Sequence, residues 1–226
     1  MKRKTLHKLV KIILPILAKM EFIGLENLPK EGGVIITTNH MSRMDIPFLF
    51  ITPVRDDITA LVTDKYKSYA FFRWFTSVAE GIWIDRTKAD FTALKKSLEV
   101  LRQGKALGIS PEGTRSETAQ LLEGKGGTAF IAVKTGVPIV PVALWGTEEA
   151  FHNIFRFKKA RLFMRYGPAY TLPDLDRNNR EESLQQAITE IMCRIAVLLP
   201  EKYHGFYRGH PRIKELEQEL GITPSN

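Results

Sequence analysis

A histidine and an aspartate lie five residues apart, at His40 and Asp45, directly after the apolar run Val34-Ile35-Ile36. Residues five apart are about 140° apart around a regular helix, so these side chains can meet only where the chain turns, as at a strand-to-helix junction. A carboxylate bonded to one imidazole nitrogen fixes the tautomer and leaves the other nitrogen able to take a proton from a hydroxyl group. The pair is therefore a candidate general base with its orienting acid.

A second candidate is Arg86, which ends the apolar run that starts at Gly81. A strand that ends in Asp85-Arg86 places a guanidinium at the carboxyl edge of the sheet, where open α/β folds bind their ligands. Arg86 can bind a phosphate through two parallel charge-assisted hydrogen bonds. The alternative is an ion pair with a neighbouring acid at the surface.

The segment from Ser110 to Ser116 follows another apolar run and contains several groups that suit an anionic ligand. Gly113 permits a tight turn with close approach of the backbone to a ligand, and exposed N–H groups there can receive an oxyanion or a phosphate. Arg115 adds a cation, Glu112 a carboxylate and Thr114 a hydroxyl. The alternative is an ordinary β-turn, because Pro, Gly and Ser are common turn residues.

Apolar runs and helical periodicity predict the elements that position these segments. Strands are expected at 33–38, 58–63, 81–85, 106–110, 139–145 and 160–166, and helices at 45–53, 66–79, 89–103, 125–136, 181–199 and 211–220. Strands that alternate with helices are typical of an α/β fold with a mainly parallel central sheet flanked by helices. The run Val137 to Leu144 contains two prolines, so this strand is expected at an edge of the sheet or with an irregular start, as support for the site.

The first 20 residues carry six cations and no acid, out of a net charge of +8. Large aliphatic residues recur near helical spacing between those cations, and Pro15 is expected to bend or interrupt the helix. The segment is too short and too charged to span a bilayer, which needs about 20 apolar residues. A basic amphipathic helix can lie in the headgroup layer of an anionic membrane. The alternative is a helix packed on the protein's own core with a solvated basic face.

A chain of 226 residues, 44% of them apolar, is long enough for one large core. We expect an N-terminal basic amphipathic helical segment at 1–24, an α/β domain at 25–200 and a C-terminal extension at 201–226. Cys193 is the single cysteine of the sequence, which excludes a disulfide within the chain and a cysteine-rich zinc site. Its helical surroundings indicate a packing role.

Four segments, in this order, resemble the signature of the glycerolipid acyltransferase family, typified by bacterial PlsC-type 1-acylglycerol-3-phosphate acyltransferases. They are the His-x4-Asp motif at 39–45, the block at 81–86, the Pro-Glu-Gly-Thr-Arg-Ser block at 111–116 and the strand at 137–142. Lys125 with the two glycines after it also resembles the family's Lys-x-Gly opening of a helix. The resemblance covers residues 39 to 144 and implies that the α/β domain is an acyltransferase domain.

The resemblance implies that the protein transfers a fatty acyl group to the sn-2 hydroxyl of 1-acylglycerol 3-phosphate. The co-substrate that donates this group is acyl-CoA or acyl carrier protein. The product is phosphatidate, used in phospholipid biosynthesis. The resemblance implies His40 as the general base, oriented by Asp45. It also implies an acceptor site shaped by Arg86, Glu112, Gly113, Thr114, Arg115 and Lys125.

Further expectations concern ligands and location. No metal or other cofactor is expected, and membrane surface lipids are expected as partners. The expected location is the cytoplasmic face of the cell membrane, as a peripheral or monotopic protein. Glycerol 3-phosphate, another lysophospholipid and a lyso-aminolipid are the alternative acceptors.

The sequence departs from the family pattern in two places. Ser110 stands where Phe is frequent, which makes the adjoining wall smaller and more polar. The region 65–75 is unusually aromatic and lacks the Pro-Gly turn frequent there. We expect its aromatic side chains, including Phe72 and Trp74, to line or cover the acyl channel. The alternative is a helix that packs its aromatic face into the core.

Three other classes of protein share some of these features. The pI near 9.5 suits a nucleic-acid binder, but the excess charge lies in the terminal segment and no recognition motif is present, so no nucleic-acid partner is expected. A non-enzymatic membrane-surface module would need the basic helix but not His40, Asp45 and Arg115 together. A metal-dependent hydrolase would draw on the histidines from residue 40 onward, whose spacings match no standard ligand motif.

Overall fold

The computed structural model describes residues 1–88 and 90–222, which form a seven-stranded sheet with helices on both faces. The strands are β1 (Ala18–Ile23), β2 (Val34–Thr38), β3 (Thr59–Thr63), β4 (Ile82–Ile84), β5 (Ala106–Ile109), β6 (Ile139–Trp145) and β7 (Ala160–Tyr166). Their order across the sheet is β1-β7-β6-β2-β5-β3-β4. Neighbouring strands are parallel except β6 and β7, which confirms the predicted α/β fold with a mainly parallel sheet.

Eight α-helices cover this sheet within the described ranges. They are α1 (Arg3–Leu17), α2 (Asp45–Phe50), α3 (Ala70–Val78), α4 (Phe91–Arg102), α5 (Gly127–Thr135), α6 (Ala150–Phe155), α7 (Arg180–Ala196) and α8 (Pro211–Leu220). Side chains of α1, α2, α3 and α6 pack on one face, and side chains of α4, α5, α7 and α8 pack on the other. Strands β2, β5 and β6 are buried along their whole length, as expected for strands covered on both faces.

The strand directions determine which ends of the elements lie together. Strands β2, β3, β4, β5 and β6 are parallel, so they all end at one edge of the sheet, which we call the carboxyl edge. Strand β7 runs antiparallel to β6, and β1 runs parallel to β7, so both strands begin at the carboxyl edge. The last turn of α1 directly precedes β1 and therefore lies at this edge too.

The N-terminal segment is helical only in its first part. Helix α1 contains Pro15 in its last turn and ends at Leu17, and the next six residues form β1, which pairs with β7. Met20 and Phe22 pack against the core and alternate along the chain with charged residues, which is typical of a strand. This strand is not among the predicted ones. The division of the chain into segments at 1–24, 25–200 and 201–226 stays a prediction.

Helix α1 packs on the core and also exposes apolar side chains. Leu6, His7 and Leu14 are buried against the neighbouring elements. Four large aliphatic residues on the rest of the helix are exposed, namely Leu9, Ile12, Ile13 and Ile16. No helix in the described ranges combines the length and the hydrophobicity that a membrane-spanning segment requires.

Strand β6 lies inside the sheet, between β7 and β2, so of the two predicted alternatives the edge strand is wrong and the irregular start is found on the β7 side. Pro141 has no N–H, but it sits where the β6–β7 ladder is interrupted. Ile139 pairs with Tyr170 and Val142 pairs with Tyr166, so two residues of β6 lie between these pairs and three residues lie between them on the partner segment. The missing donor therefore falls at a bulge, which is one of the positions where a sheet tolerates proline.

The C-terminal residues pack onto the same core. Tyr203, Tyr207 and Ile213 are buried on the face covered by α7. Arg212 of α8 bonds to Glu190 of α7 at 2.7 Å, which fixes the two helices together. Cys193 is buried in α7, in agreement with its predicted packing role. Residues 223–226, part of the predicted extension, lie outside the described residues.

Candidate active site

His40 and Asp45 meet at the carboxyl edge, where β2 ends and α2 begins, as their spacing predicts. The Nδ1 atom of His40 lies 2.8 Å from Oδ2 of Asp45. The same Oδ2 accepts hydrogen bonds from the backbone N–H groups of Met41 and Ser42, both at 2.8 Å. Because Oδ2 accepts from these two amides, the carboxylate is the acceptor and Nδ1 of His40 is the donor.

The tautomer that follows leaves Nε2 of His40 as the proton acceptor. This nitrogen makes no hydrogen bond to a described residue, and 21% of the His40 side chain is exposed. Asp45 is almost fully buried, and its Oδ1 has no hydrogen-bond partner in the described part of the chain. The arrangement directs one basic nitrogen outward and anchors the other, which is what a general base requires.

Two further hydrogen bonds connect the Pro-Glu-Gly-Thr-Arg-Ser loop to the backbone of His40. Glu112 accepts from the His40 N–H at 2.9 Å through Oε1, and the Ser116 N–H donates to the His40 carbonyl at 2.8 Å. The second oxygen of Glu112 accepts from the Leu122 N–H at 2.9 Å. Both carboxylate oxygens of Glu112 are therefore used inside the protein, so this side chain positions His40. The resemblance implied instead that Glu112 helps to shape the acceptor site.

Burial raises the pKa of Glu112 to about 7, because the charged form loses its hydration. The nearby carboxylate of Asp45 acts in the same direction, and the hydrogen bonds from the N–H groups of Leu122 and His40 act against it. The carboxyl group that positions His40 therefore changes its charge near neutral pH.

Asn39 supports the site in a way that the sequence analysis did not predict. Its side-chain amide donates to the carbonyl of Leu144 and accepts from the N–H of the same residue, both at 2.8 Å. The amide thus continues the β2–β6 ladder by one position and ties the residue before His40 to β6. An asparagine directly after a fully buried strand must find such partners, and this was the signal available in the sequence.

The loop after β5 provides cations close to this pair. Gly113 has a φ of +68°, a left-handed conformation that favours glycine, and a Cβ there would lie 3.2 Å from Cδ of the flexible Lys125 side chain. Lys125 and Thr114 are exposed and Arg115 is half-buried. The side chains of Arg115 and Lys125 make no hydrogen bond or ion pair to a described residue, which leaves both cations available to an anion.

Arg86 lies at the same edge but farther from His40. It follows β4, the outermost strand, which is three strands away from β2. At the usual strand spacing this separation is roughly 14 Å. Arg86 forms no ion pair with a described residue, so the predicted alternative is not found, and the adjacent Asp85 bonds to Thr87 and Lys88.

Phe72 and Trp74 lie on α3, whose first turn is also near the carboxyl edge. Phe72 is half-buried against Tyr66, with ring centroids 5.0 Å apart, and Trp74 is exposed beside Phe71. A helix that packs its whole aromatic face into the core is therefore not what the chain forms. Their place in an acyl channel stays a prediction.

The histidines that a metal-dependent hydrolase would use are not assembled. His152 is exposed on α6, His204 bonds to the carbonyl of Leu199, and His210 receives the N–H of Arg212 at the start of α8. Within residues 1–88 and 90–222, no group of three His, Cys, Asp or Glu side chains is placed to bind a metal ion.

Comparison with known proteins links this site to a family of enzymes. The family model described as Acyltransferase matches residues 19–145. A 1-acyl-sn-glycerol-3-phosphate acyltransferase of Borreliella burgdorferi is 33% identical over 59% of this chain and 54% of its own. One of Saccharomyces cerevisiae is 36% identical over 57% of this chain and 44% of its own. The chain thus spans about half the length of these two relatives.

Two other proteins match almost the whole chain. A 1-acyl-sn-glycerol-3-phosphate acyltransferase of Bacillus subtilis is 25% identical over 93% of this chain and 94% of its own. The crystal structure of PlsC, the 1-acyl-sn-glycerophosphate acyltransferase from Thermotoga maritima, superposes with a TM-score of 0.64 and 25% identity, covering 99% of this chain and 81% of that one. The family model matches more than half of the residues and includes the His40–Asp45 pair and the loop that positions it. The chain belongs to the acyltransferase family.

Proposed function

We propose that this protein transfers a fatty acyl group from acyl-CoA or acyl carrier protein to the sn-2 hydroxyl of 1-acylglycerol 3-phosphate, giving phosphatidate for phospholipid biosynthesis. The observation that carries the proposal is the His40–Asp45 hydrogen bond of 2.8 Å, with Nε2 free of a described partner and the His40 backbone bonded to the loop that carries Arg115 and Lys125. The names of the relatives, all 1-acyl-sn-glycerol-3-phosphate acyltransferases, support the same reaction.

His40 acts as the general base in this reaction. Its Nε2 takes the proton of the acceptor hydroxyl while the hydroxyl oxygen attacks the thioester carbonyl carbon. The imidazolium that forms is stabilised by the buried carboxylate of Asp45. The tetrahedral intermediate then loses the thiolate, which takes the proton back from Nε2, and the new ester is released. Because the thioester is already activated, no acyl-enzyme is needed.

The phosphate of the acceptor binds to the cations of the loop after β5. A phosphomonoester carries up to two negative charges, and the unpaired Arg115 and Lys125 can compensate them within reach of His40. Exposed N–H groups around Gly113 and the hydroxyl of Thr114 add donors. Arg86, roughly 14 Å across the sheet, binds the more distant part of a substrate, such as phosphate groups of the donor.

The reaction needs no metal and no other cofactor, because the chain's own groups supply the base and the anion site. The protein works at the cytoplasmic face of the cell membrane as a peripheral or monotopic protein. Helix α1 supports the membrane surface in this proposal, since four large aliphatic side chains are exposed on it between lysines. Such a helix binds the headgroup layer through apolar contact and attraction to anionic lipids.

The experiment combines purified protein, an acyl-CoA or acyl carrier protein donor, and a panel of acceptors, with detection of the released thiol and of the lipid product. The panel contains lysophosphatidate, glycerol 3-phosphate, a lysophospholipid with a larger headgroup and a lyso-aminolipid. We expect the highest kcat/KM with lysophosphatidate. A higher value with another member would assign that acceptor instead.

The matched variant is His40→Ala, which removes the base and leaves the cations in place. It should lower kcat by about 10²–10⁴-fold with little effect on acceptor binding. If folded, vesicle-bound wild-type protein releases no thiol with any acceptor, the protein is a non-enzymatic membrane-surface module and the proposal is wrong.

A further inference from the structure

The turn between α6 and β7 presents two phenylalanines to solvent. Phe155, the last residue of α6, is 80% exposed and Phe157 is 101% exposed. The three residues between and after them, Arg156, Lys158 and Lys159, are exposed cations. We call residues 155–159 the aromatic-basic turn. A large side chain fully in water contributes no packing to the fold, so its presence calls for another reason.

The backbone of the turn makes Phe157 still less expected. The N–H of Phe157 donates to the Ile154 carbonyl and the N–H of Lys158 to the Asn153 carbonyl, which together form a Schellman motif at the end of α6. Phe157 occupies the left-handed position of this motif, with a φ of +57°. Glycine is the residue that suits this position, and a side chain there strains the backbone. Neither the backbone nor the packing explains a phenylalanine at 157.

The position of the turn in the fold points to what covers it. The turn directly precedes β7, so it lies at the carboxyl edge, the same edge as His40. Lys159 donates to the carbonyl of Pro15 at 3.3 Å, which places the turn against the last turn of α1. The exposed apolar side chains nearest to that end of α1 are Ile12, Ile13 and Ile16. The turn therefore extends the exposed apolar surface of α1 towards the site.

The charges of the turn select an anionic partner. Residues 150–173 contain no Asp or Glu, and Arg156 and Lys158 make no ion pair with a described residue. Phenylalanines between lysines and arginines match the boundary of an anionic bilayer, where apolar rings enter the acyl region and cations remain among the headgroups.

We propose that the aromatic-basic turn is a second membrane-binding element, which inserts Phe155 and Phe157 into an anionic phospholipid surface and, together with α1, keeps the carboxyl edge next to that surface. The inference rests on the proposed function for the identity of the surface, a membrane that contains the lipid acceptor. Its effect is that an acceptor can reach Nε2 of His40 while its acyl chain stays in the bilayer.

The decisive variant is Phe157→Gly, which removes the ring and also relieves the left-handed backbone. Its thermal stability should equal or exceed that of the wild type. Its partitioning to vesicles of phosphatidylcholine with phosphatidylglycerol should be about tenfold weaker, because one exposed ring no longer enters the bilayer. A structural role for Phe157 would give the opposite pattern, with lower stability and unchanged binding.

Two controls separate this effect from general loss of exposed surface. Phe206→Ala removes an exposed ring whose neighbours Tyr203 and Tyr207 belong to the core on the other face, and it should bind vesicles like the wild type. Lys158→Gln should weaken binding about fivefold on vesicles with phosphatidylglycerol and little on pure phosphatidylcholine.

A direct measurement places a polarity-sensitive fluorophore on Phe157→Cys, since the native Cys193 is buried. Anionic vesicles should shift its emission to the blue, and lipids that carry quenchers in the acyl region should quench it. The same label on Lys214→Cys, on α8, should show neither effect. A label at 157 that stays in water on protein-loaded vesicles overturns the inference.

The outcomes distinguish this inference from the proposed function. Phe157→Gly should retain kcat on a short-chain lysophosphatidate dissolved as monomers and lose activity on the same acceptor presented in vesicles. Wild-type protein that binds vesicles through residue 157 but transfers no acyl group would refute the proposed function alone. An active enzyme whose Phe157→Gly variant binds vesicles normally would refute this inference alone.

Discussion

The buried carboxyl of Glu112 gives a prediction in which two effects oppose each other across the pH range. Replacing it as Glu112→Gln removes the negative charge and also exchanges one acceptor oxygen for a donor NH₂ group. Both oxygens of Glu112 receive backbone N–H groups, from His40 and Leu122. One of these donors loses its partner in the variant, and a buried donor without a partner costs about 1–3 kcal/mol.

The charge effect depends on pH with a definite sign. The folded-state pKa of Glu112 is about 7, raised by burial from 4.5, so the folded protein binds a proton more tightly than the unfolded chain. The stability that this gives the wild type is complete below pH 4.5 and is lost as the pH rises through about 7. Linkage with these two values gives a loss of about 2.5 kcal/mol between about pH 5 and about pH 8. The glutamine variant has no such loss.

The assay is urea unfolding of both proteins at about pH 5 and about pH 8. We expect the variant to be less stable by about 1–3 kcal/mol at the lower pH and about as stable as the wild type, or more so, at the higher pH. Other titrating groups cancel in the difference. Glu117→Gln, an exposed acid in the same loop, is the control and should show a pH-independent difference. The reasoning would be refuted if Glu112→Gln lowered the unfolding free energy by the same amount at both pH values, or by more at the higher pH.

Three further changes test the remaining parts of the site. Asn39→Ala leaves the N–H and carbonyl of Leu144 unpaired and should lower the unfolding free energy by about 2–4 kcal/mol in urea titrations, whereas a loss near zero would show that water replaces the amide. Asp45→Asn can retain the three donors on one oxygen but not the charge, so kcat in the thiol-release assay should fall about 10²–10⁴-fold with the fold intact, and near-normal turnover would contradict the role of the carboxylate. Trp74→Ala should change the preference among lauroyl to stearoyl donors if α3 borders the acyl channel, and an unchanged preference would remove that prediction.

The sequence predicted the elements of the α/β core because their patterns are strongly periodic. The observed β6 and β7 have the predicted bounds, and the other four predicted strands differ by one or two residues at their ends. The His40–Asp45 contact was predicted too, because a strand-to-helix turn is the simplest way for side chains five apart to meet. Chemical type and local geometry were sufficient for these features.

Contacts between distant segments were beyond the reach of the sequence. Glu112 looks like a ligand-binding carboxylate, and only the path of the loop after β5, which brings Leu122 back to it, supplies the second N–H that occupies it. Pro141 indicates an edge strand by its missing donor, and only the register of β6 against β7 shows that a bulge accommodates it. In both cases the contact depends on a segment whose position cannot be predicted from local sequence patterns.

The two strands that run against the rest of the sheet determine which segments lie beside His40. Strands that all ran parallel would bring only their carboxyl ends and the following loops to the edge that carries His40. Because β7 and β1 run the other way, the end of α1 and the aromatic-basic turn reach that edge as well. His40 and the exposed apolar residues therefore lie on one side of the molecule, so the membrane binding that we propose for α1 and the turn would direct His40 towards the lipids rather than away from them.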